Sequence, residues 1–311
     1  PGPAPRQGDA PGTKYYEIPL AIQDRTFKSD GSLYYSTPNP HEPFWGNAIM
    51  VNGNTWPYLN VEPRRYRLRV LNGCNARYLK LMLLRGTAVG DSNKTNFYVL
   101  GSDGGFLPSP ARLQKITLSP AERADILVDF TGVAAGTVFY LVNRGDLAEK
   151  MPAGEVLKII VGTLTGPDTS KPVGQFTLPQ RTLLGSPNNV RRVSVNPEAF
   201  LGVVDTVTGE ALSLKFDDPV TEAPLLNSTE IWEIENFSND AHPIHLHLVQ
   251  FEVVSRQNKL TGEVRGPQPW ERGTKDTVDV RVNEIVRVKA KFDIPGLFVW
   301  HCHILEHEDD E

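Results

Sequence analysis

Cysteine, methionine and long apolar runs are all scarce in these 311 residues, and each scarcity removes a class of protein. Two cysteines, Cys74 and Cys302, cannot build a disulfide framework. Cys302 moreover stands among histidines, which points to a metal rather than a bridge and leaves the redox compartment open. The longest apolar stretches, such as the one around Leu81–Leu84, fall far short of the roughly 18 residues of a membrane-spanning helix. The formal net charge of −5 comes without a dense basic stripe, which disfavours a nucleic-acid binder. The opening stretch PGPAPRQGDAPGT has neither the charged nor the apolar region of a secretory signal and reads as a linker over residues 1–13. What is plentiful is glycine, 26 residues, and proline, 25, so turns are frequent and an all-helical bundle is excluded. A hydrophobic content of 40% rules out general disorder, and the length at roughly 150 residues per domain predicts about two domains.

Period-two alternation recurs along the chain. In Arg65-Tyr66-Arg67-Leu68-Arg69-Val70 the apolar residues take one face and the arginines the other, as a half-buried strand requires; the arginine face reads as solvated. Val278, Val280 and Val282 alternate with Asp279 and Arg281. After Asn283 and Glu284, Val286, Val288, Ala290 and Phe292 alternate with Arg287, Lys289 and Lys291, a pattern that predicts an antiparallel hairpin. Further strands are expected at Ile126–Phe130, Val138–Asn143, Val156–Gly162, Glu230–Asn236 and Leu297–His303. The polar, turn-rich stretch Thr163–Lys171 marks the domain boundary. The expected fold is all-β, two Greek-key β-sandwich or barrel domains over residues 14–165 and 166–311.

Six of the seven histidines fall in two short segments, His242-Pro-Ile-His245-Leu-His247 and His301-Cys302-His303-Ile-Leu-Glu-His307. The seventh, His41, stands alone in a proline-rich loop and reads as a surface residue. On a strand, residues i and i+2 share a face about 6.6 Å apart while i+1 faces the other way. His301 and His303 therefore point to one side, at a spacing that suits two metal ions, and Cys302 points to the other and serves a third. Only a few covalent bonds separate the two sides, a short path for an electron. One thiolate with two imidazoles and a weak axial thioether describes a blue-copper site, and His242 and His307 are the imidazoles available to Cys302. Structural zinc, which favours closed sets such as Cys₂His₂, fits one thiolate and a surplus of histidines poorly.

HPIHLH followed by HCHILEHEDDE resembles the paired copper motifs of the multicopper oxidases. Ala48–Leu71, Leu118–Phe130 (LSPAERADILVDF) and Arg272–Val278 (RGTKDTV) are similar to the branch that contains spore-coat laccases, bilirubin oxidases and phenoxazinone synthases. The resemblance implies cupredoxin-like domains and an enzyme that oxidises phenolic, aminophenolic or tetrapyrrole donors one electron at a time and reduces O₂ to water. It implies four coppers per complete enzyme. His242, Cys302 and His307 would hold type 1 copper, with Ile304 packed on one axial side, and His245 would bind type 2. His247, His301 and His303 would bind the binuclear type 3 pair, and Glu308 would assist proton delivery, although it also reads as a surface carboxylate of the acidic run Glu306–Glu311. The family's axial methionine falls one residue past Glu311, and the three methionines, Met50, Met82 and Met151, all lie in the first domain. Four further histidines come, in the family, from an N-terminal cupredoxin domain. Residues 1–311 are therefore expected to be the middle and C-terminal domains, with the N-terminal domain a partner, and Cys74 to be structural. Such enzymes favour a secreted, spore-coat or cell-surface setting. Two alternatives remain: a cuprous or ferrous ion oxidase, against which the few methionines argue, and a non-catalytic scaffold of the same fold. A nitrite reductase fits the HCHILEH spacing poorly.

Overall fold

The computed structural model describes residues 4, 6–10, 13–35, 42–90, 92–145, 154–197 and 200–308; His41 lies outside them. The chain divides into two compact units. Phe44–Gly101 and Ser109–Pro179 build most of the first, and Ser102–Pro108 with the chain from Gln180 onward build most of the second. The change of unit falls past Thr163–Lys171, where the sequence puts the boundary. That stretch is tied back to the first unit: Lys14 bonds Thr165, Arg64 pairs with Asp168 at 3.2 Å, and Arg65 donates to the Ser170 carbonyl at 3.2 Å.

Strands dominate both units, and the only α-helix among the described residues is the single turn Leu305–Glu308. In the first unit the alternating stretch forms the strand Arg65–Asn72. It lies parallel to Glu17–Phe27 and antiparallel to Arg123–Asp129 in an eight-stranded sheet. A six-stranded sheet centres on Leu79–Arg85 and Val138–Asn143. Tyr66, Phe130 and Phe139 join the two sheets edge to face, with ring centroids 6.1 and 5.2 Å apart. The arginine face is less solvated than expected. Arg67 is clamped between Glu17 and Asp125 and Arg65 pairs with Asp129 at 2.9 Å, leaving Arg69 as the largely exposed member.

The second unit repeats this plan. Asn189–Val195 runs parallel to Ser228–Asn236, which pairs antiparallel with Glu284–Phe292 in a seven-stranded sheet. Opposite it stands a three-stranded sheet in the order Thr277–Val280, His242–Leu246, Trp300–Cys302. Trp232 meets Phe292 within the large sheet and Trp300 of the small one, at 5.8 and 5.9 Å.

Two expectations are corrected. Leu297–His303 is strand only over Trp300–Cys302. The predicted hairpin is not one: Thr277–Val280 and Glu284–Phe292 belong to different sheets. The turn Arg281–Glu284 closes with Glu284 N–H donating to the Arg281 carbonyl at 3.1 Å and has positive φ (56°) only at its third residue, Asn283. That is the mark of a type II turn, which splays its flanking strands, whereas paired hairpins use the mirror-image turns.

Candidate metal centre

The three-stranded sheet brings the two histidine segments side by side. Ile244 lies directly opposite Cys302, and His245 directly opposite His301. Cross-strand neighbours share a face, so the alternation splits the motif into two clusters, one on each side of the sheet.

On one side the Cys302 Sγ stands 3.5 Å from Nδ1 of His242 and 3.6 Å from Nδ1 of His307. All three side chains are buried. His307 reaches the sulfur because the turn begun at Ile304 folds the chain back, His307 N–H donating to the Ile304 carbonyl at 2.9 Å. Ile304 is itself buried, and its backbone N–H points at Sγ from 3.5 Å. The far nitrogen of His242, Nε2, meets Ser238 Oγ at 2.8 Å, which turns Nδ1 toward the sulfur. Ser238 is held in turn by Asn236 Oδ1 and the Asp240 carbonyl. Burial, with His307 adding a smaller effect, pushes the His242 pKa down to about 3, so its ring is neutral and its lone pair free.

On the other side His245, His247, His301 and His303 converge. The His301 ring centroid lies 5.4 Å from that of His245, 5.2 Å from that of His247 and 5.4 Å from that of His303. Nε2 of His247 and Nε2 of His301 approach to 3.1 Å. His245 Nδ1 donates to the Asp276 carbonyl at 2.8 Å, and His301 Nδ1 meets the Cys302 carbonyl at 3.0 Å, which leaves Nε2 of both rings facing inward. Burial lowers the His245 pKa, the bond to Asp276 opposing it. Glu308 lies 3.5 Å from Nδ1 of His301 and 3.9 Å from Nδ1 of His303. Ser238, the Asp276 carbonyl and Thr277, whose Oγ1 lies 3.2 Å from His245 Nδ1, are neighbours of the candidate site that the motifs do not announce; their one sequence signal is their place in NFSND and RGTKDTV.

The donor chemistry fits copper. One ion about 2.3 Å from sulfur and about 2.0 Å from nitrogen touches all three groups when sulfur and nitrogen are about 3.5 Å apart. A buried thiolate with two neutral imidazoles is the blue-copper set, and a cluster of imidazoles alone also suits copper. Cys74, by contrast, is buried with no histidine beside it among the described residues, and burial pushes its thiol pKa well up, which leaves it an inert core residue.

Residues 187–311 match the multicopper oxidase family model. Over 94% of its length the chain is 39% identical to a laccase of Bacillus subtilis, of which it covers 61%. It is 31% identical to a bilirubin oxidase of Albifimbria verrucaria, over 95% of the chain and 52% of the relative. The fold superposes on the crystal structure of a multicopper oxidase from the hyperthermophile Aquifex aeolicus with a TM-score of 0.77 and 33% identity, covering 94% of this chain and 64% of that one. Residues 187–311 thus carry a multicopper oxidase domain, the chain's two units are cupredoxin-like, and copper is the metal of that family. The chain spans about three fifths of the length of the laccase relative.

Proposed function

We propose that this chain supplies the thiolate copper site and one half of the oxygen-reducing centre of a laccase-like multicopper oxidase. The reading rests on one observation above all, the Cys302 sulfur between the Nδ1 atoms of His242 and His307, with His301 and His303 flanking that cysteine in the chain. In this reading His242, Cys302 and His307 hold type 1 copper, His245 type 2, and His247, His301 and His303 the type 3 pair. Copper bound there supplies one-electron redox chemistry, through which phenolic, aminophenolic or tetrapyrrole donors give up single electrons and O₂ takes four to become water.

The chain's own residues set the conditions. Burial keeps water from the Cys302 thiolate, and the Ile304 N–H draws density from the sulfur. The peptide links from Cys302 to His301 and His303 are the covalent path between the clusters. Ser238 and the Asp276 carbonyl fix the tautomer and aim of His242 and His245, as partners of ligating histidines do. Glu308, half-buried beside His301 and His303, is placed to hand protons to oxygen as it is reduced.

Four further histidines complete the trinuclear centre, from another cupredoxin domain in a separate chain or elsewhere in the same one. In support, the histidine face borders an apolar cleft of about 890 Å³ lined by Leu246, Phe298 and Val299 beside His247 and His301, a surface suited to burial. Likeness to laccases favours a secreted or cell-surface setting; no helix among the described residues is long and apolar enough to cross a membrane.

Cys302→Ser in the copper-loaded enzyme is the test. The intense visible absorption from sulfur-to-copper charge transfer and the oxidation of donors should both vanish while the far-ultraviolet circular dichroism stays unchanged. Full blue absorption in that variant overturns the assignment.

A further inference from the structure

Three of the inward-facing imidazoles described above owe their aim to a bond at the far ring nitrogen: His242 to Ser238, His245 to the Asp276 carbonyl, His301 to the Cys302 carbonyl. His247 does not. Among the described residues its ring makes hydrogen bonds and ring contacts only with other histidines, and the residue is exposed in this chain. Its backbone, in contrast, is fully committed. His247 N–H donates to the Val299 carbonyl at 3.1 Å, and the His247 carbonyl accepts the Val249 N–H at 2.8 Å. The second bond skips a single residue, Leu248, whose φ is +70°. A three-residue turn with positive φ at its centre is the rare, strained form of the γ-turn. Leucine is a poor occupant of that conformation, which glycine and asparagine tolerate far better. Strain of this kind persists where the surroundings over-determine it, and it concentrates at functional sites.

We propose that Leu248 is a positioning residue: its left-handed backbone, pinned between the Val299 and Val249 bonds, sets the Cα–Cβ direction of His247 and so delivers the imidazole to His301. The turn does for this histidine what a partner at the far nitrogen does for His242, His245 and His301. The inference rests on the reading of His247 and His301 as copper ligands.

Substitutions at Leu248 separate backbone from side chain. In the fully assembled, copper-loaded enzyme, Leu248→Gly and Leu248→Asn keep the conformation and lose the leucine side chain. Leu248→Val keeps an apolar side chain, but branching at Cβ makes positive φ costlier still. The measurements are copper per chain by elemental analysis, the blue absorption of the Cys302 site, and the absorption and paramagnetic signals of the histidine-only centre. Glycine and asparagine variants should retain the parent copper count and signals. The valine variant should keep full blue absorption, lose at least one copper per chain and show altered signals from the histidine-only centre. The opposite ranking, with valine intact and glycine and asparagine depleted, would mean that side-chain packing rather than φ does the work and overturns the proposal. Equal copper in all variants overturns it as well, as does a valine variant that loses the blue absorption in step. A parent enzyme with copper at Cys302 but none at the histidine-only centre would instead overturn the underlying ligand reading.

Discussion

In the first unit Leu79 faces Leu118 across an antiparallel pair; in the second His242 faces Val280 in the same way. The correspondence holds along both strands. Arg144 N–H donates to the Lys80 carbonyl at 2.8 Å where His303 N–H donates to that of Pro243 at 2.7 Å. Counting from these anchors, Met82 and Val142 are paired in the first unit as His245 and His301 are in the second, and Asn143 occupies the place of Cys302. Met82, Leu84 and Val142 form a buried apolar cluster at the positions where His245, His247 and His301 bring imidazoles together. Even the turns match: Ala121 and Asn283 are both left-handed third residues, closed by Glu122 and Glu284 side chains accepting from Ser119 N–H and Arg281 N–H. At His242, His245, His301 and Cys302 the candidate centre is therefore a change of side chains on a shared backbone plan, together with acceptors for the ring nitrogens. The plan departs at Leu248, whose φ of +70° replaces the strand that the first unit continues through Arg85.

The comparison can be broken most severely by acid. Burial holds His242 neutral down to about pH 3 against an ordinary value of 6.5, and it lowers His245 too. Between those pH values the unfolded chain binds a proton that the folded unit refuses. In the metal-free protein the second unit is thus at full stability above about pH 6.5 and loses it as pH falls toward 3, by up to about 1.4 kcal/mol per pH unit for His242 alone. Amide protection factors, which divide out the intrinsic slowing of exchange in acid, should fall in Thr277–Val280 between about pH 6.5 and about pH 4.5, above the range where carboxylates titrate, while those in Lys115–Leu118 do not, since the described part of the first unit contains no histidine. A parallel fall would mean that the imidazoles are not the difference.

Next in size are two buried asparagines that play one part in both units. Asn72 Nδ2 donates to the Arg77 and Leu118 carbonyls, and Asn236 Nδ2 to those of Asp240 and Val280. Each Oδ1 also accepts a backbone N–H, from Cys74 and from Ser238. Replacing either by alanine orphans buried groups and should cost about 3 kcal/mol in denaturant titration of the whole chain. Only Asn236→Ala also releases Ser238 from its place behind His242, so only this variant should shift the visible copper spectrum. A shift of equal size in Asn72→Ala would dissolve the distinction.

Smallest is Cys74→Ala. The thiol packs in the first unit's core, so the variant should lose about 1 kcal/mol and no copper. A lost copper would make Cys74 a ligand and the first unit a metal unit as well.

Much of this was legible in the chain itself. Strict alternation marked Arg65–Val70 and Val286–Phe292 as strand, Val138–Asn143 is a strand where one is expected, and parity alone set Cys302 apart from His301 and His303. Those properties are local: the direction of a side chain on an extended backbone follows from its neighbours in sequence. Which strand becomes a partner is not local. Val278 and Val280 alternate as a hairpin arm would, yet they pair with Ile244 and His242, because a left-handed Asn283 sends the chain into the other sheet. Nor does any motif disclose that Ser238 stands behind His242, that the Asp276 carbonyl receives His245, or that Leu248 is bent to aim His247. The residue order by itself determined the donors and the face each would take. Their distances, tautomers and aim were decided only when long-range pairing closed the sheet, since a ring nitrogen finds its acceptor through space and not along the chain.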